Sequence, residues 1–210
     1  MIVIKHIKDF LLSVLAGTAI SIGCIIFLSV ENTIVGSILF AVGLLTVLTF
    51  GLNLFTGKAP YLCQKGYKYI PFMLNVWFGN LVGSGLSALF IKNTRVYEKI
   101  IERCTSVAEL KVNDSLLSLF ILGIFCGIMM YIAVDNYINQ GGARNFTSGI
   151  VAIFCVSVFI LAGFEHSIAD MFYFILALPV KEWIVPLLVI TAGNIIGGNA
   201  FCWITKCEIK

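Results

Sequence analysis

The sequence predicts an all-α membrane protein of six transmembrane helices, built as an inverted 3+3 repeat in which the second and fifth helices are broken. Three observations lead there. Of 210 residues, 60% are hydrophobic and only 12% charged, with a mean hydropathy of +1.01, which excludes an ordinary soluble domain. Glu165, His166 and Asp170 lie near the middle of an apolar run, residues 149–178, that exceeds the roughly 20 residues needed to cross a bilayer. Finally, Gly79-Asn-Leu-Val-Gly83 is echoed by Gly193-Asn-Ile-Ile-Gly197. An ionisable residue at the bilayer centre costs roughly 2.5–3.5 kcal/mol on insertion scales, so such groups face a protein interior, a water-filled path or a partner. With the weak helix former Gly163 just before them, they read as a helix interrupted at mid-membrane. That is tolerated where the freed backbone lines a cavity or is buried in protein.

The elements follow in order. Lys5, His6, Lys8 and Asp9 form a polar lead-in, and the apolar run behind it is too long for a cleavable signal. The first span is residues 10–30, with small residues Ala16 to Ala19 suited to close helix packing. Glu31 to Thr33 is a turn. The second span, residues 35–57, carries Gly43, Thr46, Thr49, Gly51, Asn53, Thr56 and Gly57 at membrane depth, a mixture that fits an interrupted helix. Residues 58–69 are a basic loop with Pro60, and the third span is residues 70–91. Residues 92–114 are charged and fit an amphipathic surface helix around Val96, Lys99, Ile100 and Arg103. The fourth span is residues 115–134, followed by a Gly-rich loop to Thr147. The broken fifth span is joined by a short connection, residues 179–183, to the sixth, residues 184–204.

Three spans followed by three reverse the orientation of the second set, so the repeats, about residues 8–92 and 113–206, have inverted topology within one transmembrane domain. The permeation site is expected where the two broken helices meet. Both termini share one side. That side collects Lys5, Lys8, Lys58, Lys65, Lys68, Arg144, Lys206 and Lys210 against Asp9, Asp135 and Glu208, and the basic excess marks it as cytoplasmic. The net charge of +3 is no footprint for nucleic acid. The seven cysteines show no CxxC and no Cys/His ligand spacing; they read as small hydrophobes rather than as disulfides or metal ligands.

Gly163-Phe-Glu-His-Ser-Ile-Ala-Asp-Met-Phe172 resembles the signature of the formate/nitrite transporter family, which also includes hydrosulfide channels and, in some parasites, lactate transporters. The similarity extends to Lys8-Asp-Phe-Leu-Leu-Ser-Val-Leu-Ala-Gly17, Leu54-Phe-Thr-Gly57, Gly79-Asn80 and Gly193-Asn194-Ile-Ile-Gly-Gly198, and so to nearly the whole chain. The resemblance implies an aquaporin-like protomer in a homopentamer of the inner or plasma membrane, each protomer with its own pore for a small monovalent anion, and no cofactor or metal. The family's central histidine falls on His166 and its threonine partner on Thr56; its hydrophobic constrictions fall on Phe40, Leu44, Phe55 and Phe159. A basic residue near the inner mouth falls on Lys8 and an outer lysine on Lys111. One position departs. Formate-type members often carry Asn in helix four where this chain has Gly127, a departure that bears on formate as the substrate and not on the channel reading.

An anion crossing hydrocarbon needs attraction at the mouths, donors at the centre and walls that exclude leak. Lys8 and Lys111 fit the first need, although lysines there also serve as interfacial anchors. Constricting Phe and Leu side chains gate by dewetting; most of the 17 Phe are ordinary packing. His166 is the central candidate: neutral, one ring nitrogen donates to the anion while the other accepts, with Thr56 either tying down that nitrogen or donating beside it; protonated, it pairs with the anion or passes it a proton, so proton-coupled transport stays open beside a passive channel. The plain alternative is an interior histidine bonded to Glu165 or Asp170. Those carboxylates are expected to close the break through backbone hydrogen bonds, since an exposed carboxylate repels an anion. Asn80 and Asn194 are expected as interhelical anchors, with the half-helix dipoles and backbone N–H groups at both breaks as further donors. Three other readings stay open. An aquaporin-like neutral-solute channel lacks an Asn-Pro-Ala motif here; a membrane enzyme lacks HExxH, the only other histidine being His6; a scaffold subunit would need His166 for a partner rather than for flux.

Overall fold

The computed structural model describes residues 2–206, and these form helices and turns with no strand among them. The helices are α1 (Ile2–Ser29), α2 (Thr33–Phe50), α3 (Phe55–Lys58), α4 (Leu62–Lys65), α5 (Ile70–Ile91), α6 (Arg95–Val112), α7 (Leu116–Asn139), α8 (Phe146–Leu161), α9 (Ser167–Ala177) and α10 (Val180–Lys206). Among the described residues, α1, α2, α5, α7 and α10 are long and apolar enough to cross a membrane, and α8 and α9 are shorter apolar helices. At 1.5 Å per residue the 27 residues of α10 reach about 40 Å. Cys207, Glu208 and Lys210, part of the basic side expected above, lie outside the described residues.

Both interruptions have the same construction. Helix α2 ends at Gly51 (φ 62°) and α8 is followed by Gly163 (φ 72°), left-handed backbone that glycine adopts without penalty. The next residue closes the turn: Leu52 N–H donates to Val47 O (2.9 Å) and Phe164 N–H to Phe159 O (2.8 Å). Each chain then re-enters the protein interior and starts a new helix after an extended residue, Leu54 before α3 and His166 before α9.

Packing places α1 against α2 and α5, α7 against α8 and α10, and α2 against α8, with α9 on α5 and α6. Small residues set the closest approaches. A Cβ at Gly17 would overlap the backbone carbonyl of Asn80, and one at Gly127 that of Asn194. Helix α6, capped by Thr94 Oγ1 accepting from Val96 N–H (3.3 Å), buries Ile100, Cys104 and Ala108, while Arg103 bonds Val30 O and stacks on Phe27.

Several boundaries differ from the sequence reading. Residues 58–69 are a string of short helical turns rather than a loop, and α7 continues through Asp135 to Asn139. The helix can carry Asp135 because its carboxylate is matched, by the Tyr61 hydroxyl (3.2 Å) and Lys206 Nζ (3.1 Å). Helix α10 starts at Val180 instead of after residue 183, with Glu182 in its first turn, where a carboxylate is favoured. Of the cysteines, Cys24, Cys104, Cys126, Cys155 and Cys202 are buried and reduced, and Cys63 is exposed.

Candidate functional site

The breaks bring backbone amides and carbonyls into the interior, where each orphaned group costs free energy. One asparagine serves each break. Asn80 Oδ1 accepts Phe55 N–H (2.8 Å), and its Nδ2 donates to Asn53 O (2.9 Å) and Ser13 O (2.7 Å). Asn194 Oδ1 accepts Ser167 N–H (3.0 Å), and its Nδ2 donates to Glu165 O and Gly123 O, both at 2.8 Å. Backbone bonds add to this: Asn53 N–H donates to Leu12 O (3.4 Å) and Glu165 N–H to Leu122 O (3.3 Å). The two asparagines are therefore anchors, as their residue type suggests. The amides of Phe55 and Ser167 are consumed by them and are not free donors, a correction to the expectation above.

His166 is buried at the N-terminus of α9 and caps it: Nδ1 accepts Ala169 N–H (3.1 Å). A nitrogen that accepts carries no proton, so in the neutral ring the proton sits on Nε2. Nε2 lies 2.8 Å from Thr56 Oγ1, which therefore accepts and keeps its own hydroxyl proton to donate elsewhere. Phe159 stacks on the imidazole (5.4 Å between centroids), and Phe40 meets Phe159 edge-on (6.0 Å). One ring face of His166 is thus apolar and the donor edge points to Thr56.

Lys111, near the end of α6, pairs with Glu165 and with Asp170 Oδ1 (3.0 Å). Glu165 and Asp170 were expected to close the break through backbone bonds. Their carboxylates instead hold Lys111, because two buried carboxylates need a cation. His166 bonds neither of them; its ring nitrogens are satisfied instead by the Ala169 N–H and the Thr56 hydroxyl.

Two cavities flank this centre. One, of about 190 Å3, is lined by Phe40, Phe159, His166, Lys111, Glu165 and Asp170 with apolar neighbours from α1, α6 and α8. The other, of about 180 Å3, is lined by Val47, Leu52, Leu54, Gly57, Lys58, Val134 and Tyr137. His166, Thr56, Phe40, Phe159, Lys111, Glu165 and Asp170 are therefore brought together. Leu44 is buried and lines neither cavity. Phe55 faces a third, wholly apolar cavity with Met73, Trp77 and Leu188. Lys8 is exposed on the first turns of α1, beside Asp9, whose carbonyl accepts from Asn53 Nδ2 (3.2 Å).

Sequence reasoning missed Leu54 and Lys58. Both were findable from the internal repeat: Gly51, Leu54, Gly57 and Lys58 stand at the same chain separation from Gly163, His166, Ala169 and Asp170. Among the described residues no group of three or more His, Cys, Asp or Glu side chains could hold a metal.

Known proteins resemble this chain over most of its length. The chain is 26% identical to the formate channel FocA of Escherichia coli (strain K12), over 96% of this chain and 86% of that one. It is 28% identical to the nitrite transporter NirC of the same organism, over 79% of this chain and 66% of that protein. Among solved structures, an FNT family ion channel superposes with a TM-score of 0.84 at 24% identity, covering 95% of this chain and 88% of the other. A pentameric formate channel with formate bound gives 0.77 at 25% identity, covering 96% of each chain. The family model for the formate/nitrite transporter matches residues 3–207. On that near-complete match, this chain belongs to the formate/nitrite transporter family.

Proposed function

We propose that the protein is a membrane conduit for a small monovalent anion of the formate, nitrite or hydrosulfide kind, which passes between the two cavities by way of His166 and Thr56. Its relatives are channels and transporters, not enzymes. The observation that carries the reading is the His166–Thr56 pair: a buried donor couple, oriented by a backbone amide, with His166 lining one cavity and the chain neighbours of Thr56, Leu54 and Gly57, lining the other. An anion reaching it accepts a hydrogen bond from the Thr56 hydroxyl and competes for Nε2–H, donors that replace lost hydration. Phe40 and Phe159 form the constriction on one side of the pair and Leu54 on the other, with Leu44 and Phe55 backing the walls. Lys8 raises the anion concentration at one mouth, while Lys111 lines the other with its charge held by Glu165 and Asp170.

The architecture goes with it. Six membrane passes follow if α2 with α3 and α8 with α9 each count as one broken passage. The matched bonds of Asn80 and Asn194 support an inverted repeat of about residues 8–92 and 113–206 in one domain. Both termini are cytoplasmic in this reading, the membrane is the inner or plasma membrane, and protomers assemble as a homopentamer like the formate channel that superposes on this chain.

The test is flux of formate, nitrite and hydrosulfide into liposomes holding the purified protein, under an imposed voltage and, separately, an imposed pH gradient. Flux driven by voltage alone identifies an anion channel, and the favoured ion names the substrate. Flux that follows only the pH gradient makes His166 a proton relay. His166→Phe abolishes or strongly alters flux with assembly intact. Unchanged flux in that variant across pH 5–8 sinks the central-histidine mechanism, and water permeation without anion flux returns the neutral-solute reading.

A further inference from the structure

The two cavities are built by corresponding residues. Val47, Gly51, Leu54, Gly57 and Lys58 line one; Phe159, Gly163, His166, Ala169 and Asp170 line the other in the same order and at the same separation along the chain. At the last of these positions the charge reverses. Asp170 shares Lys111 with Glu165, so the single cation of that cavity faces two carboxylates. Lys58 has no ion pair among the described residues. It lines its own cavity and also a wider vestibule with Lys65 and Lys206, of which Lys206 is already paired to Asp135 (3.1 Å). Lys65 and Asp9 are the other charges acting on Lys58.

We propose that Lys58 is an anion-binding residue serving only one end of the pathway, so that small monovalent oxyanions and carboxylates are taken up more readily from the Lys58 side than from the Lys111 side. This rests on the anion-conduit reading. A half-buried ammonium in a low-dielectric wall raises the local anion concentration, and the effect is confined to its own mouth because salt screens it within about 8 Å at physiological ionic strength. The opposite mouth has no comparable attraction, since its lysine is saturated. A passive conduit cannot set the direction of net flux, but its rate at equal and opposite driving forces then differs with the side of entry.

The experiment uses the full chain in liposomes with formate and nitrite as probes. Copies facing outward at the Lys58 end are counted in a parallel aliquot by a membrane-impermeant thiol reagent, which reaches Cys63 on α4. Initial rates are measured against anion concentration on each side. The half-saturating concentration is expected to be about threefold or more lower on the Lys58 side, and an impermeant salt should shrink that difference. Lys58→Met and Lys58→Gln should shrink the asymmetry by raising the value on that side alone, while Lys58→Arg keeps it. Equal half-saturation on both sides of the unmodified protein, or a Lys58→Met effect of the same size on both sides, overturns the proposal and leaves the conduit reading standing. No flux of either probe in the unmodified protein refutes the conduit reading first, and this proposal with it.

Discussion

Asn194→Ala tests whether the interrupted backbone is held by single side chains. Asn194 is buried and makes three hydrogen bonds of 2.8–3.0 Å to the break and to α7. Each is worth about 1 kcal/mol net, and more if the backbone group it leaves is unsatisfied in the interior. Alanine returns about 0.5 kcal/mol as the better helix former. The expected net loss is about 2–4 kcal/mol, or roughly two orders of magnitude in the unfolding equilibrium constant. Asn80→Ala should cost the same, because its bonds to Phe55, Asn53 and Ser13 repeat the pattern. Asn199 supplies the control. It also makes three bonds, accepting from Cys63 N–H (2.8 Å) and donating to Ala59 O (2.9 Å) and Ile195 O (2.8 Å), but it is half-exposed and water can replace it. Asn199→Ala should cost under about 1 kcal/mol. The assay is equilibrium unfolding of the detergent-purified variants by added denaturing surfactant. If Asn80→Ala and Asn194→Ala both fall within about 0.5 kcal/mol of the unmodified protein, or no lower than Asn199→Ala, the breaks are not held this way.

Two further outcomes are expected from the same assay. Gly127→Ala puts a methyl group into the backbone carbonyl of Asn194 and should cost about 1–3 kcal/mol. Gly149→Ala meets nothing within 4 Å on α8 and should stabilise by up to about 1 kcal/mol; two variants of the same sign refute the close-approach argument. Lys111→Met leaves Glu165 and Asp170 as two buried carboxylates without their cation and should cost about 3–5 kcal/mol. Adding Glu165→Gln and Asp170→Asn to it should recover most of the loss, and a triple variant no more stable than Lys111→Met shows that Lys111 acts by packing alone.

The interruptions were legible because glycine and polar residues at membrane depth have few explanations: Gly51 and Asn53 in one run, Gly163, Glu165 and His166 in the other. The roles of Asn80 and Asn194 followed from their matched positions, and His166 stood out as a buried-run histidine in a specific motif. Less of the cavity lining could be read. Leu54 is one leucine in a leucine-rich chain, and nothing local distinguishes Leu44, which lines neither cavity, from Phe40, which does. Helix ends at Asn139 and Val180 were misjudged because hydropathy marks where the membrane ends, not where backbone hydrogen bonding stops.

By itself, then, the sequence determined what is carried by periodicity and composition: helices throughout, apolar spans, two breaks, and an internal repeat. Tertiary structure alone decided the chemistry between distant residues. It set Nε2 of His166 against Thr56, spent the Lys111 charge on Glu165 and Asp170, and left Lys58 without an ion pair among the described residues. The physical reason is that a side chain's charge and donor capacity belong to the residue, whereas whether they are satisfied depends on which partners packing brings within about 3 Å.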